Sequence, residues 1–320
     1  MLTTKAVINC GISLTIDEIE GLLCRKIKLC YLCRLKNVMV EMNRRDFRKF
    51  FLEAVTPLYD LHECEAMLRR YVQDRLCMPY YRFTMDWDAE MTDEVDYRSD
   101  VDRLAQGEPL QHITGFTEFC GLRLSTDARA LIPRPETEEL VETIVRECAD
   151  RQPLQILDIG TGSGAIAIAL AARLPQSDVT AVDISAEALS LAAHNACENH
   201  VRVEFVQMDV LQCERLANSY DMIVSNPPYI PESMRNSLHR NVVNYEPGMA
   251  LFVPDERPLL FYEKIAELAC SSLKAGGSLY FETYEEYHPQ LVALLKAKGF
   301  AEVESRRDGF GRPRFVRALR

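Results

Sequence analysis

The stretch LQILDIGTGSGAIAIAL, residues 154–170, decides the fold. An apolar run, Leu154–Ile159, meets three glycines, Gly160, Gly162 and Gly164, and passes into a helical run, Ala165–Leu174. A strand that is apolar at nearly every position is covered on both faces, which is the habit of parallel sheets. Glycine lets the chain turn sharply between the two elements and leaves no Cβ in the way of a ligand. Working outward, the alternation persists. Val179–Val182, Val201–Val206, Tyr220–Ser225 and Ser278–Glu282 read as strands, and Ala186–Glu198, Pro258–Leu273 and Pro289–Lys298 as helices. Ala301–Ser305 and Arg314–Ala318 follow with no helix between them, so the sheet is expected to end in an antiparallel C-terminal edge strand paired as a hairpin. The pattern predicts an α/β, mostly parallel sheet whose ligands sit at the carboxyl ends of its first strands.

Upstream the periodicity changes. Phe47, Phe50, Phe51, Ala54 and Val55, then Leu61, Ala66, Met67, Leu68, Tyr71 and Val72, recur at helical spacing. Thr92 or Asp93 is placed to cap a further helix carrying Val95, Val101 and Leu104. Residues 42–106 are therefore a small helical domain. Gly107, Pro109, Gly115 and Gly121 punctuate short extended runs, so 107–133 reads as a β-hairpin linker, and 134–320 is the α/β domain. Residues 1–41 form an extension of different composition, rich in cysteine and slightly basic. Cys30 and Cys33 have metal-ligand spacing, with Cys24 nearby. No histidine precedes His62 and no second CxxC exists, so no metal is expected.

The 320 residues carry 48 acidic and 37 basic side chains, a net charge of −11. That disfavours a grip on long nucleic acid, which relies on a basic surplus. The longest apolar run, Ala165–Ala172, is far below the ~20 residues a membrane span needs. The chain is expected to be cytoplasmic, with its 11 cysteines mostly reduced.

Asp183 closes the second strand, where a carboxylate can accept both hydroxyls of a ribose. The glycines run GxGxG rather than the GxGxxG of a dinucleotide site, and Asp158 stands two residues before the first of them. An acid there suits a cationic cofactor better than a pyrophosphate. The pattern resembles the class I, Rossmann-like methyltransferases that use S-adenosylmethionine. The resemblance implies that Gly160, Thr161, Gly162, Ser163 and Gly164 hold the amino-acid part, Asp183 the ribose, and Asp209 with Val210 the adenine edge.

Ser225-Asn226-Pro227-Pro228-Tyr229 follows the fourth strand directly. An amide or exocyclic-amine nitrogen is a poor nucleophile, because its lone pair is spread into a π system. It does carry two N–H donors, which the side-chain oxygen of Asn226 and the carbonyl of Pro227 can accept, fixing the NH₂ group for attack. Pro227 and Pro228 stiffen the loop, and Tyr229 can pack on the planar group.

These motifs occur with Pro109-Leu-Gln-His-Ile-Thr-Gly115, Glu118-Phe119 and Leu131-Ile-Pro-Arg-Pro-Glu-Thr-Glu138. Together they resemble the peptide chain release factor glutamine methyltransferase family (PrmC/HemK) over residues 43–320. The resemblance implies methyl transfer from S-adenosyl-L-methionine to the side-chain amide N5 of the glutamine in the GGQ motif of class 1 release factors. Asn226, Pro227 and Tyr229 are then the catalytic candidates. Asn226, Pro227, Pro228 and Tyr229 bind substrate, and Asn226 also touches the cofactor. Arg134 and Glu136 either line the substrate entrance or form an ion pair that holds the linker. Tyr245 and Glu246, in the long loop after Tyr229, are candidates for a lid. His112 reads as structural, and Glu282, ending the fifth strand near the pocket, as a residue that orients backbone. The chain departs from the family at Thr117, Cys120 and Val210, where arginine, an aromatic residue and, in some members, tryptophan stand. The alternative reading is an N-methyltransferase acting on an exocyclic amine of a nucleic-acid base, which shares the NPPY logic.

The shift in composition before Met42 makes residues 1–41 an extension or an upstream start, with Met39 or Met42 as the beginning. Mass spectrometry of the native protein is expected to find no peptide from residues 1–38; their presence would refute this.

Overall fold

The computed structural model describes residues 5–8, 12–15, 42–91 and 94–320. The chain divides into two compact units, Met1–Ala105 and Gln106–Arg320. Cys10, Cys24, Cys30 and Cys33, and the cap expected at Thr92 or Asp93, lie outside the described residues.

In the first unit β1 (Lys5–Ile8) and β2 (Ile12–Thr15) pair antiparallel. Among the described residues four helices follow, α1 (Arg44–Val55), α2 (Leu61–Asp74), α3 (Tyr80–Met85) and α4 (Tyr97–Ala105). Asn43 and Asp60 cap the first two, each accepting a backbone N–H three residues on at 2.9 Å. The i, i+4 spacing puts Phe47, Phe51 and Val55 on one buried face of α1. The Phe47 ring lies 5.8 Å from Tyr71 and 5.4 Å from Tyr97. The buried Tyr71 hydroxyl donates to Asp100 Oδ2 at 2.9 Å, and Arg75 Nε donates to the same oxygen at 2.8 Å.

The second unit opens with α5 (Leu110–Thr114), ended by Gly115 at φ +81°. β3 (Phe116–Phe119) and β4 (Leu122–Ser125) make the expected hairpin. Its two-residue tip puts Cys120 at φ +50° and Gly121 at φ +77°, both positive as a tight hairpin turn of this kind demands. Pro135 then starts α6 (Pro135–Cys148), where proline costs no hydrogen bond.

Beyond it come β5 (Gln155–Ile159), α7 (Ala165–Arg173), β6 (Asp178–Asp183), α8 (Ala186–Glu198), β7 (Glu204–Gln207) and β8 (Tyr220–Ser225). The loop after β8 holds β9 (Ile230–Pro231), α9 (Arg240–Tyr245) and β10 (Phe252–Val253). The chain closes with α10 (Leu260–Ser272), β11 (Leu273–Glu282), α11 (His288–Ala297), β12 (Val303–Arg307) and β13 (Pro313–Leu319). The seven-stranded sheet has the order β12-β13-β11-β8-β5-β6-β7, and every strand except β13 runs parallel. The antiparallel β13 lies inside β12, so the terminal hairpin as a whole forms that edge.

Most strand boundaries shift by one or two residues from the sequence reading, and two strand starts shift further. β7 starts at Glu204, because Val201 still donates its N–H back to the Ala196 carbonyl as the chain leaves α8. β11 starts at Leu273, and an irregularity between Leu273 and Ser278, with Gly276 at φ +73°, hid its first half.

The parallel strands alternate their side chains between two apolar layers. Ile156, Met222 and Val224 pack in one layer with Leu140, Ile144 and Ile168; Leu157, Ile223 and Leu279 pack in the other with Tyr262, Ile265 and Leu291. Strand order reverses at β5, whose neighbours are β6 and β8, so a crevice opens above these three carboxyl ends.

Gly164 holds α7 against α8. It adopts φ +85°, and a Cβ there would lie 2.8 Å from Ile168 Cδ1 and 3.0 Å from Ala192 Cβ. A Cβ on Gly160, at φ +74°, would meet no atom within 4 Å. Gly164→Ala is therefore expected to lower stability in urea by about 2 kcal/mol or more, from backbone strain plus overpacking. Gly160→Ala is expected to cost about 1 kcal/mol, from the backbone alone.

Candidate active site

The glycine loop is tied down before anything binds to it. Gly160 N–H and Thr161 N–H both donate to the carbonyl of Val182, at 2.8 and 3.0 Å, which joins the loop to the end of β6. Thr161 Oγ1 donates to Asp158 Oδ2 at 2.7 Å beneath the loop. Gly162 N–H donates to Asp183 Oδ2 at 2.9 Å, and Ser185 N–H donates to Asp183 Oδ1 at 2.9 Å. Each oxygen of Asp183 keeps acceptor capacity beyond its one backbone bond.

The loop forms one wall of a cavity of about 260 Å³. Gly160, Thr161, Gly162, Ser163, Asp183, Val210, Asn226, Pro227 and Pro228 all line it, and so does Asp209. Gly160 and Gly162 present bare backbone, with nothing nearer than 3.9 Å where a Cβ would stand. The apolar side chains of Val182, Met208, Val210, Phe261 and Ile265 make a slot beside Asp183. Two candidates stand apart. Gly164 faces the helix packing described above. Tyr229 lies outside the cavity lining, its ring stacked on Tyr284 at 6.0 Å with an interplanar angle of 8°.

Asn226 emerges from β8 next to the loop, because the sheet register pairs Ser225 with Ile159. Ser225 Oγ donates to the Ile159 carbonyl at 2.6 Å and locks the two strand ends. Asn226 Nδ2 faces Thr137 Oγ1 at 3.4 Å, and Thr137 Oγ1 donates to Glu282 Oε2 at 2.7 Å. Glu282, read from sequence as a backbone-orienting residue near the pocket, thus reaches Asn226 both directly and through the Thr137 hydroxyl.

The linker is held by an ion pair. Arg134 donates to Glu246 Oε1 at 2.5 Å, while Ile132 N–H donates to Glu246 Oε2 at 2.9 Å. Arg134 pairs with this distant glutamate, and Glu136 occupies the first turn of α6. Glu246 is buried and braces the loop, whose Pro247, Met249 and Ala250 line the cavity. The Tyr245 hydroxyl donates to the Gln106 carbonyl at 3.3 Å.

Two residues at the site escaped sequence reasoning. Asn195 is fully buried on α8; it donates to the carbonyls of Ser163 (3.0 Å) and Ser125 (3.2 Å) and accepts the Ser125 N–H at 2.7 Å. It joins the glycine loop to the hairpin linker. Its signal was a lone amide in an Ala- and Leu-rich helix. Thr137 was quoted within a motif without a role of its own.

Two buried carboxyls lie under the site. Burial raises Asp158 from 3.8 to about 7, although the Thr161 bond opposes the rise. Burial likewise raises Glu282 from 4.5 to about 7, against the Thr137 bond and the Arg314 charge. Between the ordinary carboxyl range and about 7, the folded chain holds protons that the unfolded chain has released. Their contribution to stability is full at low pH and is lost as pH rises through that window. The unfolding temperature of Asp158→Asn relative to the parent is therefore expected to climb between pH ~4 and ~7, as followed by scanning calorimetry.

Residues 136–244 match the methyltransferase small domain family, and residues 61–115 match the PrmC N-terminal domain. The release factor glutamine methyltransferase of Flavobacterium psychrophilum is 37% identical over 278 residues, covering 85% of this chain and 98% of that protein. That of Bacteroides thetaiotaomicron is 45% identical over 219 residues, 68% of this chain and 78% of its own. The Lactococcus lactis protein is 46% identical over 215 residues, 67% and 78% of the two chains. Identity at this level across nearly the whole of a relative, with both domains matched in order, places the chain in the release factor glutamine methyltransferase family.

Proposed function

We infer that this chain transfers a methyl group from S-adenosylmethionine to the side-chain amide N5 of the glutamine in the GGQ motif of class 1 release factors. Family membership supports the substrate and the reaction. The observation that carries the site is the meeting of Asn226 with the glycine loop at one cavity, across the Ile159–Ser225 register.

The cavity fits the cofactor. Bare backbone at Gly160 and Gly162 leaves room for close approach, and the Asp183 carboxylate shares the cavity lining with the apolar Val182, Met208, Val210, Phe261 and Ile265, a setting that suits a ribose and its base. Gly160, Thr161, Gly162 and Ser163 would hold the amino-acid part, Asp183 the ribose hydroxyls, and Asp209 and Val210 the adenine edge. Gly164 serves the same loop indirectly, by letting α7 pack close. S-adenosylmethionine supplies an electrophilic methyl group on a cationic sulfur.

The chain's own residues address the weak nucleophile. Asn226 Oδ1 and the Pro227 carbonyl accept the two N–H groups of the substrate amide and hold its NH₂ plane in one orientation. Both acceptors also favour the positive charge that develops on nitrogen. No base needs to act before attack, since the proton becomes acidic once the nitrogen is cationic. Pro228 has no N–H and keeps the turn rigid. Tyr229, stacked on Tyr284, supports the loop from behind. Burial pushes its phenol well above the usual range, so it stays neutral. Among the described residues no helix is long and apolar enough to cross a membrane.

Incubation of a class 1 release factor with this protein and S-adenosylmethionine is expected to add one methyl group to the GGQ glutamine, read by peptide mass spectrometry. Asn226→Ala is expected to slow the transfer about 10²–10³-fold, the usual cost of removing one such polar group. A parent enzyme that binds cofactor yet leaves the glutamine unmodified would move the target to another amide or to the exocyclic amine of a base.

A further inference from the structure

A primary amide is nearly symmetric in shape and opposite in polarity at its two ends. Asn226 can serve a substrate NH₂ group only with its oxygen toward the cavity. Turned by 180°, it would set donor against donor. Shape alone cannot choose between the two orientations, so the choice must come from a neighbour whose own polarity is settled.

Thr137 is such a neighbour. It sits in the first turn of α6 and is 4% exposed, while Glu282, at the end of β11, is 2% exposed. The threonine hydroxyl has one proton. Above the raised Glu282 value of about 7 the side chain is a carboxylate, and at 2.7 Å from its Oε2 the threonine proton is committed to it. What the hydroxyl then offers Asn226 is a lone pair, and Asn226 Nδ2 faces it at 3.4 Å while its side chain also hydrogen-bonds the Glu282 carboxylate directly. The glutamate is held in turn, because the Tyr262 hydroxyl donates to its backbone carbonyl at 2.9 Å. Glu136 and Arg314 contribute opposing charges around the carboxylate.

We propose that Thr137 and Glu282 are positioning residues, a two-step relay that sets the polarity of the Asn226 amide so that Oδ1 faces the substrate. The proposal rests on the methyl-transfer reading of the same site and adds to it a device outside the NPPY motif. The carboxylate orients the hydroxyl, and the hydroxyl, together with the carboxylate itself, orients the amide. Three separate elements, α6, β8 and β11, must meet for the relay to exist.

The test uses the full chain with a release factor and S-adenosylmethionine at pH ~8.5, where Glu282 is ionised. Thr137→Val keeps the shape and removes the hydroxyl. It is expected to lower kcat about tenfold or more, the scale of one misdirected polar group, with the KM for the release factor and the cofactor Kd by titration calorimetry within about twofold. Thr137→Ser restores the hydroxyl and is expected to restore kcat to within about threefold of the parent. A merely structural role would instead weaken cofactor binding or thermal stability along with kcat.

Nuclear magnetic resonance on the asparagine-labelled parent supplies a measurement that needs no variant to fold and no turnover. A strong Overhauser effect is expected between an Asn226 Nδ2 proton and the Thr137 methyl group. A Thr137→Val enzyme at parental kcat, a Thr137→Ser enzyme as slow as the valine variant, or an absent Overhauser effect would each overturn the relay. A parent that transfers no methyl to the release factor would sink the functional reading instead, and the Overhauser effect would still decide the geometry.

Discussion

The register that sets Ile159 opposite Ser225 is the constraint on which the site depends. One strand delivers the glycine loop and its neighbour delivers Asn226, so their separation is a property of the sheet rather than of either loop. The Ser225 hydroxyl, donating to the Ile159 carbonyl, seals that register at the last residue before the two loops diverge. A slip by one residue would turn the side chains of β8 to the opposite layers and carry Asn226 away from the loop. Both apolar layers oppose the slip, since Leu157 and Ile223 belong to one and Ile156 and Val224 to the other.

Around this seam the protein buries polar groups that would be costly alone. Glu246, Glu282, Asp158 and Asn195 are all buried, and each has a hydrogen-bond donor committed to it. An unpaired buried polar group costs about 1–3 kcal/mol, so these bonds are obligatory once the groups are inside. Their partners come from far along the chain, as with Glu246 and Ile132 or Glu282 and Thr137. The result is a cavity whose walls are cross-linked: linker to post-NPPY loop, glycine loop to hairpin, α6 to β11. Positioning the reacting amide to within a fraction of an ångström requires such support.

Much of this was legible because it rests on local chemistry. Glycines after an apolar run announce a strand, a turn and a helix in order. A carboxylate one strand later and an Asn-Pro-Pro-Tyr run after the fourth strand mark the proposed cofactor wall and the proposed reacting corner. The helical module was visible in the spacing of its aromatic residues. Less legible was which glycine does what. Gly160 and Gly164 look alike in the motif, yet one faces open space and the other the side chain of Ile168 and the Cβ of Ala192. Tyr229 looked like a wall of the amide slot and lies instead against Tyr284. Arg134 and Glu136 invited a local pair, but the arginine found its partner at Glu246.

Local chemistry along the chain sets the order of strands and helices, the bare-backbone loop and the residues able to meet an amide nitrogen. Those follow from periodicity, backbone preference and functional-group chemistry, which act within a few residues. How the sheet is ordered and which polar groups are buried together emerge only when the chain assembles. Those depend on contacts such as Thr137 with Glu282, 145 residues apart, and distance along the chain carries no trace of such a pairing until the strands assemble.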